Sequence, residues 1–430
     1  MSVGANHVGQ SSASRLQCLA QLADARELSS VLNDTANSCG NSEPILLGVV
    51  ANGRRLANTS DGVVNDASRH RFPLGCIAKL ATATLLARLA GDPSEWAHRA
   101  LPGLMQAVRL KLNQLLSHTH GLDDSHIEQA PRDSGNRIDT EALISRLTSV
   151  RPLADPGQHY SYSNAGAWLA AAHLEYITRQ TYGDLFRQYL VAPLGLVSIS
   201  KGDALRICPA GGGPTRLSIA DALRFVEANL EDTSAASPLR ALLATTWPCP
   251  GWSYAEQGIC QGWKDYGAGW YGHDSRTQTA MSAVRIRPDL RFGFVFAGTG
   301  RRAFTTFCRL FARILPEFSR LTAPAVRTAN ELEAIDFGAF EGDYCNAAGT
   351  LQIRRDSPNS LQFVTSSAGS SDSLAMEHAL RLVAARQNVF FPASRPPPSL
   401  PFLQFLGMRI DGRYEYIWNG SCLRRRADQL

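Results

Sequence analysis

Strand-forming pattern occurs in two blocks separated by a long helical middle, and that separation is what most constrains the fold. Ile45-Leu-Leu-Gly-Val-Val-Ala51 reads as a buried strand, Asn52-Gly53 as a hairpin turn and Arg54–Thr59 as the return strand. Strand pattern resumes only after Tyr266, as Thr279–Arg287, a Pro-Asp turn at 288–289 and Arg291–Ala297. His273-Asp-Ser275 is read as the beginning of the strand that ends at Pro288. Apolar residues between the blocks follow helical spacing, as in Ile77, Leu80, Leu85 and Leu89, with Gly91 at a left-handed C-cap position. Phe304–Phe318 has the same period. A sheet assembled from distant strands with helices packed on it is an α+β layout.

The chain has 430 residues, enough for two domains, and 44% hydrophobic with 19% charged residues excludes a disordered chain. The expected division is a 1–42 extension with a helical patch around Leu16–Leu32, a domain over 43–320, a linker at 321–328 and a domain over 333–430. In the last, Phe340–Cys345, Leu351–Arg354, Leu361–Thr365, Phe390–Phe391, Phe405–Ile410 and Tyr414–Trp418 read as short strands of a small all-β sheet or barrel.

The net charge of +5 is small for this length, and Arg424-Arg425-Arg426 reads as a solvated tail, so no nucleic-acid partner is expected. Neither a membrane span nor a secretory signal is recognisable, which makes the cytoplasm the expected location. Only four of the 43 basic residues are lysines (Lys79, Lys111, Lys201 and Lys264), so a lysine at a chemically useful spacing carries weight. The nine cysteines form no CxxC pair, which argues against a zinc site or a disulfide framework. Neither a metal nor a cofactor is expected. Gly267-Ala-Gly-Trp-Tyr-Gly272 matches GxGxxG by letter, but a strand pattern follows where a dinucleotide fingerprint needs a helix.

Three short elements could carry chemistry. Cys76 and Lys79 lie three apart at a helix start, on one face. A helix N-terminus and a cation favour a thiolate over a thiol, and a neutral lysine could instead take the thiol proton. The alternative is a buried helical cysteine beside an unrelated lysine. Tyr162-Ser-Asn164 places two polar side chains toward one cleft, or serves as turn chemistry. His273-Asp-Ser275 is the third, with a surface histidine as its plain reading. Leu115-Leu-Ser-His-Thr-His-Gly-Leu122 holds two histidines whose plainest reading is structural.

Together these elements resemble the serine β-lactamase and penicillin-binding-protein superfamily, nearest to its class C β-lactamase-like branch of esterases, D-aminopeptidases and acyltransferases. Cys76-Ile-Ala-Lys79 is similar to its S-x-x-K, Tyr162-Ser-Asn164 to its Y-x-N, and His273-Asp-Ser275 to its K-T-G or H-x-G. Phe72–Lys79, Leu115–Leu122, Pro156–Gly166 and Pro193–Leu196 also resemble family text. The resemblance covers ~45 to ~318. It implies an antiparallel sheet flanked by helices, with a helical subdomain. Residues ~333–430 resemble, through Tyr344, Gly349, Leu351 and Asp411-Gly-Arg413, the lipocalin-like barrel appended to penicillin-binding-protein-type thioesterases. Carried over, Cys76 is the nucleophile, Lys79 and Tyr162 the proton-transfer pair, and Asn164 a polar anchor. His273 and Ser275 orient substrate, and the backbone N–H groups of Cys76 and Arg276 form the oxyanion hole.

Two positions depart from the family: cysteine replaces serine at 76, and Ser275 replaces glycine, which should crowd the cleft against bulky bicyclic β-lactams. A cysteine acyl-enzyme is a thioester, so exchange with a thioester donor is nearly thermoneutral whereas attack on an unstrained amide is uphill. The expectation is thioester-dependent acyl transfer, cyclisation or release in natural-product (polyketide or nonribosomal peptide) biosynthesis. The substrate would be an acyl or peptidyl group carried on a carrier protein or coenzyme A. Esterase or amidase hydrolysis is the alternative enzyme, and a non-catalytic acyl- or peptide-binding homologue the alternative class.

Overall fold

A computed structural model describes residues 25–426, apart from single positions and short gaps and the stretches 64–70, 92–96, 98–108, 125–151, 200–209, 211–214, 232–236, 249–257, 315–334, 368–379 and 394–402. The expected linker and positions 16–24 of the expected first helix lie outside the described residues. Helix α1 spans Ala25–Cys39, so the helical pattern continues seven residues beyond Leu32.

β1 (Ile45–Ala51) and β2 (Arg54–Thr59) form the expected hairpin, followed by β3 (Gly62–Val63) and β4 (Arg71–Pro73). A 3-10 turn at Gly75–Ile77 leads into α2 (Ala78–Leu89), whose C-terminus is followed by Gly91 at φ +74. The middle of the chain carries α3 (Leu112–Leu116), α4 (Ala165–Thr178), β5 (Arg216–Ser218) and α5 (Ile219–Glu231). Next come β6 (Trp247–Pro248), β7 (Gly258–Ile259), β8 (Lys264–Asp265), β9 (Tyr271–Arg276), β10 (Ala280–Arg287), β11 (Phe292–Thr299) and α6 (Ala303–Ile314).

The main sheet runs β3-β2-β1-β11-β10-β9-β8-β7-β6, with β1 paired to β11 from Ile45↔Gly298 to Ala51↔Phe292. Helices cover both faces, which explains why β1 is apolar throughout instead of alternating. On one face Val50, Val284, Ile286 and Val295 pack with α2, α4 and α5. On the other, Leu47, Phe294 and Phe296 meet Leu32 and Ala36 of α1 and Phe307 and Phe311 of α6. α2 lies inside the first layer, with every residue from Ala78 to Leu86 buried, rather than presenting a single apolar face. Its alanines, and those of α4, permit the close helix–helix approach. His273 belongs to a strand of its own, β9, hairpinned to β10; the expected single strand reaching Pro288 is two.

The C-terminal part is a closed antiparallel barrel: β12 (Gly342–Asn346), β13 (Gly349–Ser357), β14 (Ser360–Ser367), β15 (Leu380–Arg386), β16 (Val389–Pro392), β17 (Leu403–Met408), β18 (Tyr414–Trp418) and β19 (Cys422–Arg425). Phe340, Phe390, Phe405, Tyr414 and Ile417 fill its interior. The Arg424–Arg426 run is no solvated tail. β19 closes the barrel against β12, and the buried Arg425 guanidinium donates to the carbonyls of Tyr414 (3.3 Å), Ala339 and Glu341. The barrel docks on the segment that carries Tyr162. Cys422 N–H donates to Ser161 Oγ at 3.0 Å, and the Trp418 ring lies 6.3 Å from that of Tyr160.

Candidate active site

The turn bearing Cys76 is fixed from both sides. Leu74 N–H donates to Thr215 O at 2.9 Å, and Ser282 Oγ on β10 donates to Pro73 O at 3.2 Å. Gly75 has φ +48, in the left-handed region, and a Cβ there would overlap Ser275 Oγ. The side chain expected to crowd the cleft is thus seated where residue 75 has none. Cys76 is partly exposed, in a 3-10 turn closed by the Ile77 N–H donating to the Leu74 carbonyl at 3.1 Å.

One turn further, Lys79 is completely buried. Its Nζ donates to Asn164 Oδ1 at 2.5 Å and lies 4.8 Å from the centroid of the Tyr162 ring. Asn164 is the N-cap of α4, so the Tyr-Ser-Asn segment is aimed by a helix start. Ser163 holds it there: its N–H donates to His118 Nδ1 at 3.2 Å, its Oγ donates to the Asp124 carboxylate, and it accepts the Gly166 N–H at 3.1 Å. His118, at φ 57, lies with its ring 4.5 Å from that of Tyr162. Its structural role and its place at the site coincide, and the sequence reading had only the first. His120 Nδ1 accepts the Leu122 N–H at 3.1 Å and is structural as expected.

β9 supplies the opposite wall. His273 is wholly buried, not a surface residue, and its ring lies 6.1 Å from that of Tyr162. Its Nδ1 is 2.9 Å from the Asp274 carbonyl oxygen, which can only accept; Nδ1 therefore carries the proton and Nε2 the lone pair. Asp274 and Arg276 point to the other face of the sheet. There Asp274 pairs with Arg285 at 2.7 Å and accepts from Tyr266 Oη at 2.7 Å, while Arg276 covers the Phe304 ring at 4.0 Å. Among the described residues β8 pairs with β9 at Tyr271 and Gly272, and the Cys76 turn packs against β9. Thr277 N–H bonds to Ala280 O on the β10 side, and backbone groups alternate along a strand, so the Arg276 N–H faces the Cys76 side.

The sequence reading missed Lys264. It is buried on β8, with Nζ 5.6 Å from the Tyr162 ring centroid. The scarcity of lysine was the signal, and two of the four meet at one phenol. Burial, then the charges of Lys79 and Lys264, hold His118 and His273 well below the usual imidazole value, so both are neutral near pH 7. A thiol on a helix start, two lysines and a phenol, and a strand-edge N–H together suit nucleophilic attack on a carbonyl.

Comparisons with known proteins bear on the family and the fold. Penicillin-binding protein 4 of Amycolatopsis lactamdurans is 26% identical over 361 residues, covering 72% of this chain and 91% of its own. The structure of SurE with D-Leu is 20% identical with a TM-score of 0.67, covering 97% of this chain and 100% of that one, so the likeness in fold includes the barrel. D-alanine carboxypeptidase AmpC from Burkholderia cenocepacia is 18% identical with a TM-score of 0.53, over 68% of this chain and 100% of its own. The β-lactamase family model matches residues 45–314, and the chain belongs to that family, a β-lactamase fold followed by an eight-stranded barrel.

Proposed function

We propose that the chain forms an acyl-enzyme on Cys76 and transfers the acyl group from a thioester donor to an amine, alcohol or other acceptor. The donor would be an acyl or peptidyl group on a carrier protein or coenzyme A, in natural-product assembly in the cytoplasm. The observation that carries this reading is the retained polar constellation. Lys79 is buried and bonded to Asn164 beside Tyr162, an arrangement costly to keep around an inert thiol.

Cys76 Sγ attacks the thioester carbonyl while its proton passes to Lys79 or Tyr162. The carbonyl oxygen gains charge opposite the N–H groups of Cys76 and Arg276. Collapse breaks the donor C–S bond, and the departing thiolate takes the proton. Asn164, His273 and Ser275 orient the acyl group. The acceptor then repeats the sequence in reverse. Hydrolysis is the same path with water as acceptor, and the relatives named for D-alanine carboxypeptidase and D-stereospecific amidohydrolase activities favour keeping it as the second reading.

Intact mass after incubation with a panel of acyl thioesters tests the proposal, against nitrophenyl esters, D-amino-acid amides and a chromogenic cephalosporin. An adduct lost in Cys76→Ala, and slowed about a thousandfold or more in Lys79→Ala and Tyr162→Phe, is the expected result. Normal acylation of both variants would overturn the role assignment. No adduct with any donor would favour a non-catalytic binding protein.

A further inference from the structure

The third motif of this chain carries no cation. His273 gives its Nδ1–H to the Asp274 carbonyl and is wholly buried, and that burial, then the charges of Lys264 and Lys79, keeps it neutral. A cation is nevertheless present at the same place, brought by the neighbouring strand. Lys264 pairs across β8–β9 with Gly272, one residue before His273. It is 6% exposed in a chain that otherwise uses arginine almost everywhere, and its Nζ lies 5.6 Å from the Tyr162 ring centroid, against 4.8 Å for Lys79. Two buried ammonium groups near one ring repel each other, and negative charge on that ring's phenol oxygen would relieve the repulsion.

We propose that Lys264 is a positioning residue that acts through Tyr162: with Lys79 it sets a second positive charge near the ring, and together they stabilise the phenolate through which protons enter and leave Cys76. This rests on the acyl-transfer reading above. In acylation the Sγ–H proton moves to the Tyr162 oxygen as the S–C bond to the thioester carbonyl forms. When the donor C–S bond breaks, the phenol returns that proton to the departing thiolate. In transfer the acceptor's proton follows the same route to Cys76 Sγ as the acyl–enzyme bond breaks. Among the described residues, the titratable groups placed near Tyr162 include Lys79, Lys264, His118 and His273.

The test is the pH profile of Cys76 acylation by an N-acetylcysteamine thioester, followed by intact mass on the full chain. The proteins are wild type, Lys264→Met, Lys264→Gln, Lys264→Arg, Tyr162→Phe and the Tyr162→Phe/Lys264→Met pair. Removing the charge should slow acylation about a hundredfold and move the rising limb to higher pH, and Lys264→Arg should recover most of the loss. In the Tyr162→Phe background the same change should cost less than about threefold, because the residue acts through the ring. Lys264→Gln keeps a polar chain of similar length and decides the matter where Lys264→Met does not fold. Acylation of the folded neutral variant within about threefold of wild type with an unmoved profile overturns the proposal. So do effects that multiply independently with Tyr162→Phe. Either result leaves Cys76 acylation intact, whereas a wild type with no Cys76 adduct defeats the acyl-transfer reading itself.

Discussion

At Gly75 a left-handed backbone and an absent side chain serve different ends: the first turns the chain into α2, and the second makes room for Ser275. Gly75→Ala should therefore cost about 2 kcal/mol or more, measured by denaturant unfolding. Adding Ser275→Gly should return only the steric part, and full recovery would show that the backbone is unstrained. Spacing within one turn could place Cys76 near Lys79 and Tyr162 near Asn164, but only the family resemblance brought the two pairs to one site, where Lys79 does meet Asn164. Lys264, His118 and Asp124 were not legible in the sequence, since each reaches the same place only through the pairing of separate elements.

β9 shows the same limit for an element. The Thr277–Thr279 turn has no glycine or proline to mark it, so two strands read as one; β15 and β19, rich in arginine, were missed as strands for their surface-like composition. The two faces of β9 have separate tasks: His273 and Ser275 serve the site, and Asp274 fastens the strand from behind to Arg285, both nearly wholly buried. Arg285→Met would strand a buried carboxylate and should cost about 3–5 kcal/mol by denaturant unfolding; a loss below about 1 kcal/mol would mean the carboxylate finds another partner or takes a proton. The buried histidines add a pH signature. His118 and His273 lie well below 6.5 and His120 at about 4, so the unfolded chain binds protons first. Their contribution is full above pH 6.5 and is lost progressively as the pH falls below it, for His120 toward about 4. Melting temperature should thus fall between about pH 7.5 and 5, where most carboxylates stay ionised, and a flat profile would contradict neutral burial.

For the whole molecule, the fold class and the barrel followed from strand pattern and resemblance, whereas the docking of one part on the other did not. That contact joins Leu153, Tyr160 and Ile259 to Phe391, Trp418 and Cys422. Trp418→Ala should lower both the melting temperature and the acylation rate, through Tyr160 and the adjoining Tyr162 segment. Phe405→Ala, inside the barrel, should cost about 3–5 kcal/mol while leaving acylation below the transition unchanged. Equal effects on acylation would mean that the contact does nothing specific for the site. Cys422, which holds Ser161, comes 261 residues later in the chain. At ribosomal speeds of about 5–20 residues per second, the Tyr162 segment is made roughly 10–50 s before the strand that braces it. During synthesis the thiol is thus made well before the groups that hold and surround it.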